Sequence, residues 1–346
     1  MDKKYTIKDI AKMAGVSKGT VDRVLHNRGK VSPTALEKIN EVLNVIDYEP
    51  NLIARNLKNT KVYRICVLMP DPEIDPYWFP CVNGIQDAIT EFKAYSIVIE
   101  TYFFNPESTK SFLSTNEKII EKSPDAVLIA PLFHKETVEI IKQYDDLEII
   151  VNTFNNQVES SSIKSFVGQD LYKSGRVAAS LMNLILDKGQ IAIIHIDESL
   201  KNAVHMQEKE KGFRNYFEEK KISDFSLTTL KLKYSNIETK LPAFLEEHPD
   251  LKGIFITTSK AYQIATFLSS LKDRKIALIG YDLIEKNVNF LNQGLVHFLI
   301  HQNQKRQAYL GVSTLVDHFL FRKEIPETIL LPIDIINVEN ASFYVS

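Results

Sequence analysis

The sequence is poor in the residues that build covalent cross-links and metal sites. Its 346 residues include only two cysteines, Cys66 and Cys81, too few for a disulfide framework and not in a C-x-x-C metal motif. We expect two buried, reduced thiols, no metal and no cofactor. No apolar run approaches the roughly 18 residues of a membrane span, and the amino terminus, MDKKYTIKDI, lacks the apolar core of a signal peptide. The sequence therefore predicts a cytoplasmic protein without membrane contact.

Common enzyme motifs are also missing. The chain has only 12 glycines, and neither G-x-x-x-x-G-K-[ST] nor G-x-G-x-x-G occurs, nor does H-E-x-x-H. Nucleotide-binding and metalloprotease chemistry thus lack their usual signatures. We predict that the protein is not an enzyme and has no catalytic residues, and an enzyme on an α/β fold is the disfavoured alternative.

Positive charge is concentrated at the amino-terminal end. Residues 1–61 contain 12 Lys and Arg against 7 Asp and Glu, whereas residues 62–346 contain 30 against 37. A composition that is 44% hydrophobic and 25% charged is ordinary for a globular protein. A basic head on an acidic body indicates a polyanionic partner for the head and a different ligand for the body.

Three short helices are predicted in the head. Thr6, with Asp9 three residues later, is a typical helix start, and Gly15 ends that helix. Ser17 caps a second helix, and Ser32 begins a third. Their apolar positions recur at helical spacing, so the three helices can share one small core. The connecting turn AGVS, with its glycine, is typical of a helix-turn-helix.

The body alternates short apolar runs with amphipathic segments, which predicts an α/β fold with parallel sheets covered on both faces. Seven strands are read from RICVLMP, YSIVIET, AVLIAP, LEIIVN, IAIIHI, GIFIT and IALIGYD. About 285 residues suit two lobes better than one. We expect a helix-turn-helix domain at 1–49, a linker at 50–61 and a two-lobed domain at 62–346, which the family resemblance given next identifies as the DNA-binding domain, the hinge helix and linker, and the effector-binding and dimerisation domain. Its lobes would be 62–163 plus 292–325, and 164–291 plus 326–340.

The head closely resembles the LacI/GalR family of bacterial transcription regulators, through TIKDIAKMAGVSKGTVDRVLHNRGKVSPTALEKINEVLNVIDYEPNLIARNL. The body resembles the effector domain of that family, which is related to periplasmic sugar-binding proteins. That likeness rests on DPYWFPCVNGIQDA, EKGFRNYF, GIFITTSKAYQIA and IGYD. The resemblance implies a small helix-turn-helix head and a two-lobed body. It also implies a DNA-binding regulator, expected to be a repressor, with a small polar effector, expected to be a sugar.

The resemblance also implies which residues contact DNA. Arg23 is expected to read a guanine, because its planar fork matches O6 and N7 together. Gly19 carries no side chain and departs from the larger residue of many relatives, and Asp22 either orients Arg23 or accepts from a cytosine. Leu57 matches an apolar wedge that enters the minor groove from the hinge helix at 50–58. The full set of expected DNA-contacting residues is Thr6, Ser17, Lys18, Gly19, Thr20, Arg23, Asn27, Asn51, Ala54 and Leu57.

A cleft between the lobes is expected to hold the effector. By resemblance, Asp282 accepts hydrogen bonds from sugar hydroxyls, and Tyr77 with Trp78 forms an aromatic platform. Gln207 stands where many relatives have a ligand-binding arginine, which favours a neutral ligand, although His134, Lys209 or Lys260 could still supply charge. The expected effector-binding residues are Asp75, Tyr77, Trp78, His134, Asn155, Gln207, Ser259, Asp282 and Gln302.

Several alternatives stay open from the sequence. A purine-like corepressor would suit aromatic plates as well as a sugar would, so the direction of the ligand effect is undecided. A transport-type binding protein is disfavoured by the DNA-binding head. The partners expected are operator DNA, a small effector and a second copy of the chain, because one short helix reads too few bases. The chain ends without a leucine heptad, so a tetramer is not expected.

Overall fold

The computed structural model describes residues 5–25, 29–46, 61–196, 204–271 and 275–344. Contacts divide the chain into two units, residues 1–61 and residues 62–346. Among the described residues no helix is long and apolar enough to cross a membrane.

The head unit contains three helices, α1 (Ile7–Ala14), α2 (Lys18–Leu25) and α3 (Pro33–Val45). The predicted capping box of α1 is present, because Thr6 and Asp9 exchange side-chain and backbone hydrogen bonds. Gly15 ends α1 in the left-handed conformation, with φ of 65°, which glycine adopts without a steric penalty. Apolar side chains from all three helices form one core, whose buried members are Ile10, Ala11, Ala14, Val21, Ile39 and Ile46.

The first lobe of the body is a six-stranded, all-parallel sheet in the order β11-β5-β4-β3-β1-β2. Its strands are β1 (Tyr63–Pro70), β2 (Ile97–Phe104), β3 (Ala126–Ile129), β4 (Ile150–Asn155), β5 (Ile163–Gly168) and β11 (Thr328–Leu330). Its helices are α4 (Phe79–Phe92), α5 (Thr109–Glu121), α6 (His134–Asp146) and α12 (Gln304–Phe321). Helices α4 and α12 cover one face of the sheet, and α5 and α6 cover the other.

The second lobe repeats this architecture in the order β12-β10-β9-β8-β6-β7, with only β12 antiparallel. Its strands are β6 (Gly189–Ile196), β7 (Phe225–Leu232), β8 (Leu251–Ile256), β9 (Ala277–Tyr281), β10 (Phe298–His301) and β12 (Asp334–Ile336). Its helices are α7 (Leu171–Ile185), α8 (Val204–Glu219), α9 (Ile237–Glu247), α10 (Ala261–Leu268) and α11 (Glu285–Asn292). Helices α7 and α8 pack on one face, and α9, α10 and α11 pack on the other. The predicted two-lobed α/β fold with parallel sheets is therefore confirmed.

The chain crosses between the lobes three times, at points that differ from the predicted boundaries. β5, at 163–168, belongs to the first sheet, although residues from 164 onward were assigned to the second lobe. β10 pairs with β9 in the second sheet, although residues from 292 were assigned to the first lobe, and β11 belongs to the first sheet rather than the second. Each crossing comes after a strand has completed its sheet, so it falls several residues later than the sequence suggested.

Both cysteines are buried, as expected. Cys66 lies on β1 and Cys81 on α4, and neither is in a disulfide. Burial raises the pKa of both thiols, that of Cys66 to about 12, so they stay protonated near neutral pH.

Candidate DNA interface and effector site

The turn into α2 is held by side-chain hydrogen bonds of the kind that the sequence predicted. The Ser17 hydroxyl accepts from the backbone N–H of Thr20 at 3.1 Å, and the two hydroxyl oxygens are 2.8 Å apart. This caps α2 at its first turn. The two residues are thereby occupied locally, and they set the direction of the helix.

One face of α2 is exposed and polar, while the other supplies the head core. Lys18, Gly19 and Arg23 are exposed, and Val21 is fully buried. Asp22 is half-buried on the same helix. The exposed face therefore presents two positive charges, those of Lys18 and Arg23, and at Gly19 it has no side chain. Of the other expected DNA contacts, Thr6 is the exposed cap of α1, and Asn27, Asn51, Ala54 and Leu57 lie outside the described residues.

Residues Gly15 to Gly19 also match the G-x-S-x-G pattern of a hydrolase nucleophile elbow. In that elbow the serine stands on a turn between a strand and a helix. Ser17 instead stands between α1 and α2, and its hydroxyl is bonded to Thr20. The pattern therefore supports no hydrolase site here.

In the body, a cluster of polar side chains gathers around the Asp282 carboxylate, directly after β9. Asp282 is 1% exposed and accepts hydrogen bonds from the side-chain amides of Gln302 and Gln304, both at 2.8 Å. It also accepts from the backbone N–H of Gln302 at 3.3 Å. Both amides stand where the chain crosses from β10 to α12. The Asp282 carboxylate thus joins the end of β9 to the segment between β10 and α12, where the chain crosses to the first lobe.

Tyr77 connects this cluster to the first lobe. Its hydroxyl accepts from the side-chain amide of Asn155, at the end of β4, and from that of Gln302 at 3.3 Å. Burial first, and then the charge of Asp282, raises the pKa of Tyr77, so the hydroxyl keeps its hydrogen. Asp75 caps the short turn before it, accepting from the Tyr77 backbone N–H at 3.2 Å. The same network therefore reaches elements of both lobes.

Lys209 on α8 supplies positive charge near Asp282. Lys209 is 3% exposed, and its ammonium donates to the carbonyl oxygen of Thr257 at 3.1 Å and lies 3.6 Å from the centre of the Tyr281 ring. Burial lowers the pKa of Lys209 and raises that of Asp282, while their mutual attraction opposes both shifts. The pair places a buried donor and a buried acceptor of opposite charge in one site.

Three residues at this site have left-handed backbone conformations. Asn155, Asp282 and Asn303 have φ of 72°, 68° and 53°, a region that costs most side chains free energy and that Asn and Asp tolerate best. Each stands where a strand ends and the chain turns away. Such conformations concentrate at binding sites, because there the direction of a side chain matters more than local stability.

The other expected effector residues have different positions. Trp78 is in the core of the first lobe, with its ring edge-on to Phe154, so the predicted two-ring platform is not formed. Gln207 is exposed on α8, whereas Lys209, two residues later, faces inward. His134 is half-buried at the start of α6, and the backbone carbonyl of Ser259 accepts from Asn287. Among the described residues, none of the side chains of these four residues hydrogen-bonds the Asp282 carboxylate.

Asn287 on α11 is a residue that the sequence analysis missed. Its side-chain amide donates to the backbone carbonyls of Ser259, Tyr281 and Asp282 at 2.7–3.0 Å, and its oxygen accepts from the backbone N–H of Tyr262. It therefore fixes the loop that carries Asp282. Gln304 was also missed, although it stands two residues after the predicted Gln302. In the described part of the chain, no group of three or more His, Cys, Asp or Glu side chains could hold a metal ion.

The comparisons with known proteins agree with this architecture. The profile of the lacI family of bacterial regulatory proteins matches residues 6–51, and that of the periplasmic binding protein domain matches residues 65–323. A crystal structure of a candidate LacI transcriptional regulator from Bacteroides fragilis is 32% identical, with a TM-score of 0.76. The superposition covers 82% of this chain and all of that one. The chain belongs to the LacI family of bacterial regulatory proteins.

Curated members of the LacI family include two proteins named ribose operon repressor. That of Halalkalibacterium halodurans is 25% identical over 281 residues, 80% of each chain. That of Lactococcus lactis is 26% identical over 327 residues, 92% of this chain and 94% of its own. A solute-binding protein from Burkholderia graminis in complex with D-arabinose, 18% identical with a TM-score of 0.73, shares the fold of the body. As a LacI family member, the protein is a DNA-binding transcription regulator.

Proposed function

We propose that the protein is a repressor whose operator binding is controlled by an uncharged sugar held at the Asp282 cluster. The observation that carries this proposal is the buried Asp282 carboxylate, which is surrounded by amide donors and balanced by the Lys209 ammonium. The relatives named ribose operon repressor support a pentose as the first sugar to test.

The chemistry of the cluster suits hydroxyl groups. A sugar hydroxyl both donates and accepts, and the cluster offers a carboxylate acceptor, an ammonium donor, and amides and a phenol that do both. The opposite charges of Asp282 and Lys209 leave no excess charge for an anionic ligand to neutralise. A purine would require aromatic rings that face the ligand, and the Trp78 ring instead packs edge-on against those of Tyr77 and Phe154. We therefore favour a sugar over a purine.

The experiment is a ligand screen by thermal shift with D-ribose, D-arabinose, D-allose, D-glucose, D-galactose, ribose 5-phosphate, adenine and guanine. A ligand at about 100 times its dissociation constant adds roughly 2.7 kcal/mol to the free energy of unfolding. The sugar that stabilises the protein should also change its affinity for operator DNA. If a purine is the only ligand of the panel that stabilises the protein, the effector is a purine corepressor and not a sugar.

The matched variant is Asp282→Asn, which keeps the shape of the side chain. Asparagine also tolerates the left-handed backbone conformation of this position. We expect it to bind operator like the parent when no ligand is present. It should need at least tenfold more sugar to respond, because an unpaired buried polar group costs about 1–3 kcal/mol. An unchanged half-response concentration would remove Asp282 from the proposed site.

On the DNA side, we propose that Arg23 reads a guanine and that Lys18, on the same exposed face of α2, is the second base-reading residue. Arg23→Ala should then cost about 1–3 kcal/mol of binding and relax the preference at one base position per half-site. Lys18→Ala should relax the preference at a different base position. A binding selection on random operators separates the two, and an unchanged base preference with Arg23→Ala would exclude Arg23 as a reader.

We also propose that the regulator is a homodimer in the cytoplasm, acting without enzymatic activity on a pseudo-palindromic operator. A two-fold pair doubles the number of bases that one short helix can read. Sedimentation of the protein with and without operator tests the dimer, and a stable monomer in both would contradict it.

A further inference from the structure

Behind the candidate effector site, a buried chain of hydrogen bonds runs through the second lobe. It begins at the Thr257 carbonyl that holds Lys209 and continues through the Thr257 side chain to His195 on β6. The Thr257 hydroxyl lies 2.8 Å from Nδ1 of His195, and both residues are at most 1% exposed. The parallel register of β6 and β8, with Ile194 opposite Ile256, makes them neighbours.

The second ring nitrogen of His195 continues the chain to Glu210. Nε2 is 2.6 Å from the Glu210 carboxylate, which also accepts from Arg214 Nε at 2.7 Å and from the Thr229 hydroxyl at 2.5 Å. Burial opposes ionisation of Glu210, but these hydrogen bonds outweigh it and lower its pKa to about 2. A carboxylate can only accept, so Nε2 carries the hydrogen, and Nδ1 makes the second hydrogen bond of the ring, to the Thr257 hydroxyl.

These contacts close a loop. Lys209 and Glu210 are consecutive on α8, and successive helical residues point in different directions. Lys209 reaches the residue after β8, and Glu210 reaches β6, while Thr257 and His195 join those two ends. The Lys209 ammonium is thus held at the sheet directly, by its hydrogen bond to the Thr257 carbonyl. It is also held indirectly, because the next residue, Glu210, contacts His195.

We propose that His195 is a positioning residue that fixes the Thr257 carbonyl, and through it the Lys209 ammonium, for effector binding. An ammonium has three hydrogens, and the Thr257 carbonyl and the Tyr281 ring engage two. The direction of the third N–H bond therefore depends on how the carbonyl and the ring hold the Lys209 ammonium. This inference rests on the proposed function, because it assigns the Lys209 site to the effector.

The test uses one variant that breaks the link and one that keeps it. Thr257→Val has the same shape but no hydroxyl, so His195 loses its contact while the carbonyl remains. Thr257→Ser keeps the hydroxyl. The first measurement needs no ligand: it is the ¹⁵N nuclear magnetic resonance signal of the buried ammonium, assigned by its loss in Lys209→Met. The second is the affinity for each sugar in the panel above.

We expect Thr257→Val to accelerate hydrogen exchange of the Lys209 ammonium at least tenfold and to weaken sugar binding at least tenfold. Thr257→Ser should restore both. If Thr257→Val does not fold, His195→Gln takes its place, because it can still donate to Glu210 without matching the ring contact to Thr257. Unchanged ammonium exchange in a folded variant overturns the positioning role.

The failure of the proposed function has a different signature. If Thr257→Val alters ammonium exchange while Asp282→Asn leaves the sugar response intact, His195 positions Lys209 but the sugar site is elsewhere. If exchange is unchanged and Asp282→Asn abolishes the response, the sugar site stands and the positioning role fails. Combining His195→Gln with Thr257→Val should add little to either single change, since both break one link.

Discussion

At the scale of single residues, Gly19 is a position where the fold does not explain the amino acid. It is exposed in the first turn of α2, its φ is not positive, and a Cβ there would meet only Ser17 Oγ, at 3.8 Å. Glycine in a helix costs roughly 0.5–1 kcal/mol relative to alanine. The head therefore loses stability at Gly19 without a packing reason, and on the proposed DNA-reading face a glycine is expected to let a base or phosphate approach closely.

Gly19→Ala should raise the free energy of unfolding of the head by roughly 0.5–1 kcal/mol and weaken or redirect operator binding. Thermal unfolding and an operator selection measure the two effects. Gly15→Ala is the matched control, because Gly15 has open space but a φ of 65°, so alanine there should cost about 1–2 kcal/mol. A stabilised Gly19→Ala protein with unchanged operator affinity and preference would show that nothing approaches this position.

Neighbouring residues show the limit of sequence reasoning at this scale. Asp282 and Gln302 were predicted for one site, and they share a hydrogen bond. Tyr77 and Trp78 were predicted together as ligand-facing rings, yet both rings lie in the core of the first lobe and only the Tyr77 hydroxyl reaches the cluster. Gln207 was preferred to Lys209, but the phase of α8 buries the lysine. A residue type suggests chemistry, whereas the direction of its side chain depends on turns that the pattern does not specify.

At the scale of elements, helices α7 and α8 cross with their backbones in contact. A Cβ on Gly175 would lie 1.9 Å from the carbonyl oxygen of Lys209, and one on Gly212 would lie 1.9 Å from that of Tyr172. Backbone atoms cannot move aside as a flexible side chain can. The two glycines therefore set the distance of α8 from α7, and with it the position of Lys209.

Gly175→Ala should force the helices apart, cost more than the roughly 1–3 kcal/mol typical of overpacking, and weaken the sugar response. Ser180→Ala on the same helix is the control, because it removes only a hydroxyl bonded to the Val177 carbonyl. Chemical unfolding and sugar titration provide the measurements. A Gly175→Ala protein as stable as the control would mean that α8 is not held by this crossing.

Glu210 ties α8 to β6 and β7, and its pKa predicts a pH dependence. The folded-state pKa of about 2 lies below the ordinary value of 4.5, so the ionised form stabilises the fold. That stabilisation, on the order of 3 kcal/mol, is present above about pH 4.5 and is lost as the pH falls toward 2. The free energies of unfolding of the parent and of Glu210→Gln should therefore approach each other as the pH falls through this window. A difference that does not change between pH 5 and pH 2.5 would contradict the assignment.

Secondary structure was predictable where a strand is buried on both faces. The apolar runs at β1, β3, β6 and β8 each gave a strand, because central parallel strands are apolar throughout. Three strands of four to eight residues were missed: β7, FSLTTLKL, has a mixed pattern, and β5, IKSFVG, and β10, FLIH, have apolar runs of only two or three residues. The three-residue strands β11 and β12 were missed as well, since they depend on pairing with distant strands rather than on their own sequence.

At the scale of the whole body, regulation requires two arrangements of the lobes with different operator affinities. A ligand changes the balance only by as much as its affinity differs between them. In the arrangement described here, the Tyr77 hydroxyl of the first lobe accepts a hydrogen bond from the side-chain amide of Gln302, in a segment that crosses between the lobes. The same amide donates to the Asp282 carboxylate of the second lobe. These hydrogen bonds between protein side chains connect the lobes and stabilise the arrangement described here.

Tyr77→Phe removes the hydroxyl from that connection and leaves the ring in place. A lost hydrogen bond of about 1 kcal/mol changes the ratio of the two arrangements about fivefold. Because the arrangements differ in operator affinity, operator binding without ligand should change by up to that factor, and the half-response to sugar should change with it. Asp282→Asn keeps one acceptor oxygen for the Gln302 amide, so we expect its main effect on the sugar response and not on this connection. Operator titrations at fixed sugar concentrations measure both quantities, and a Tyr77→Phe protein that altered the sugar response alone would make Tyr77 a ligand contact rather than a link between the lobes.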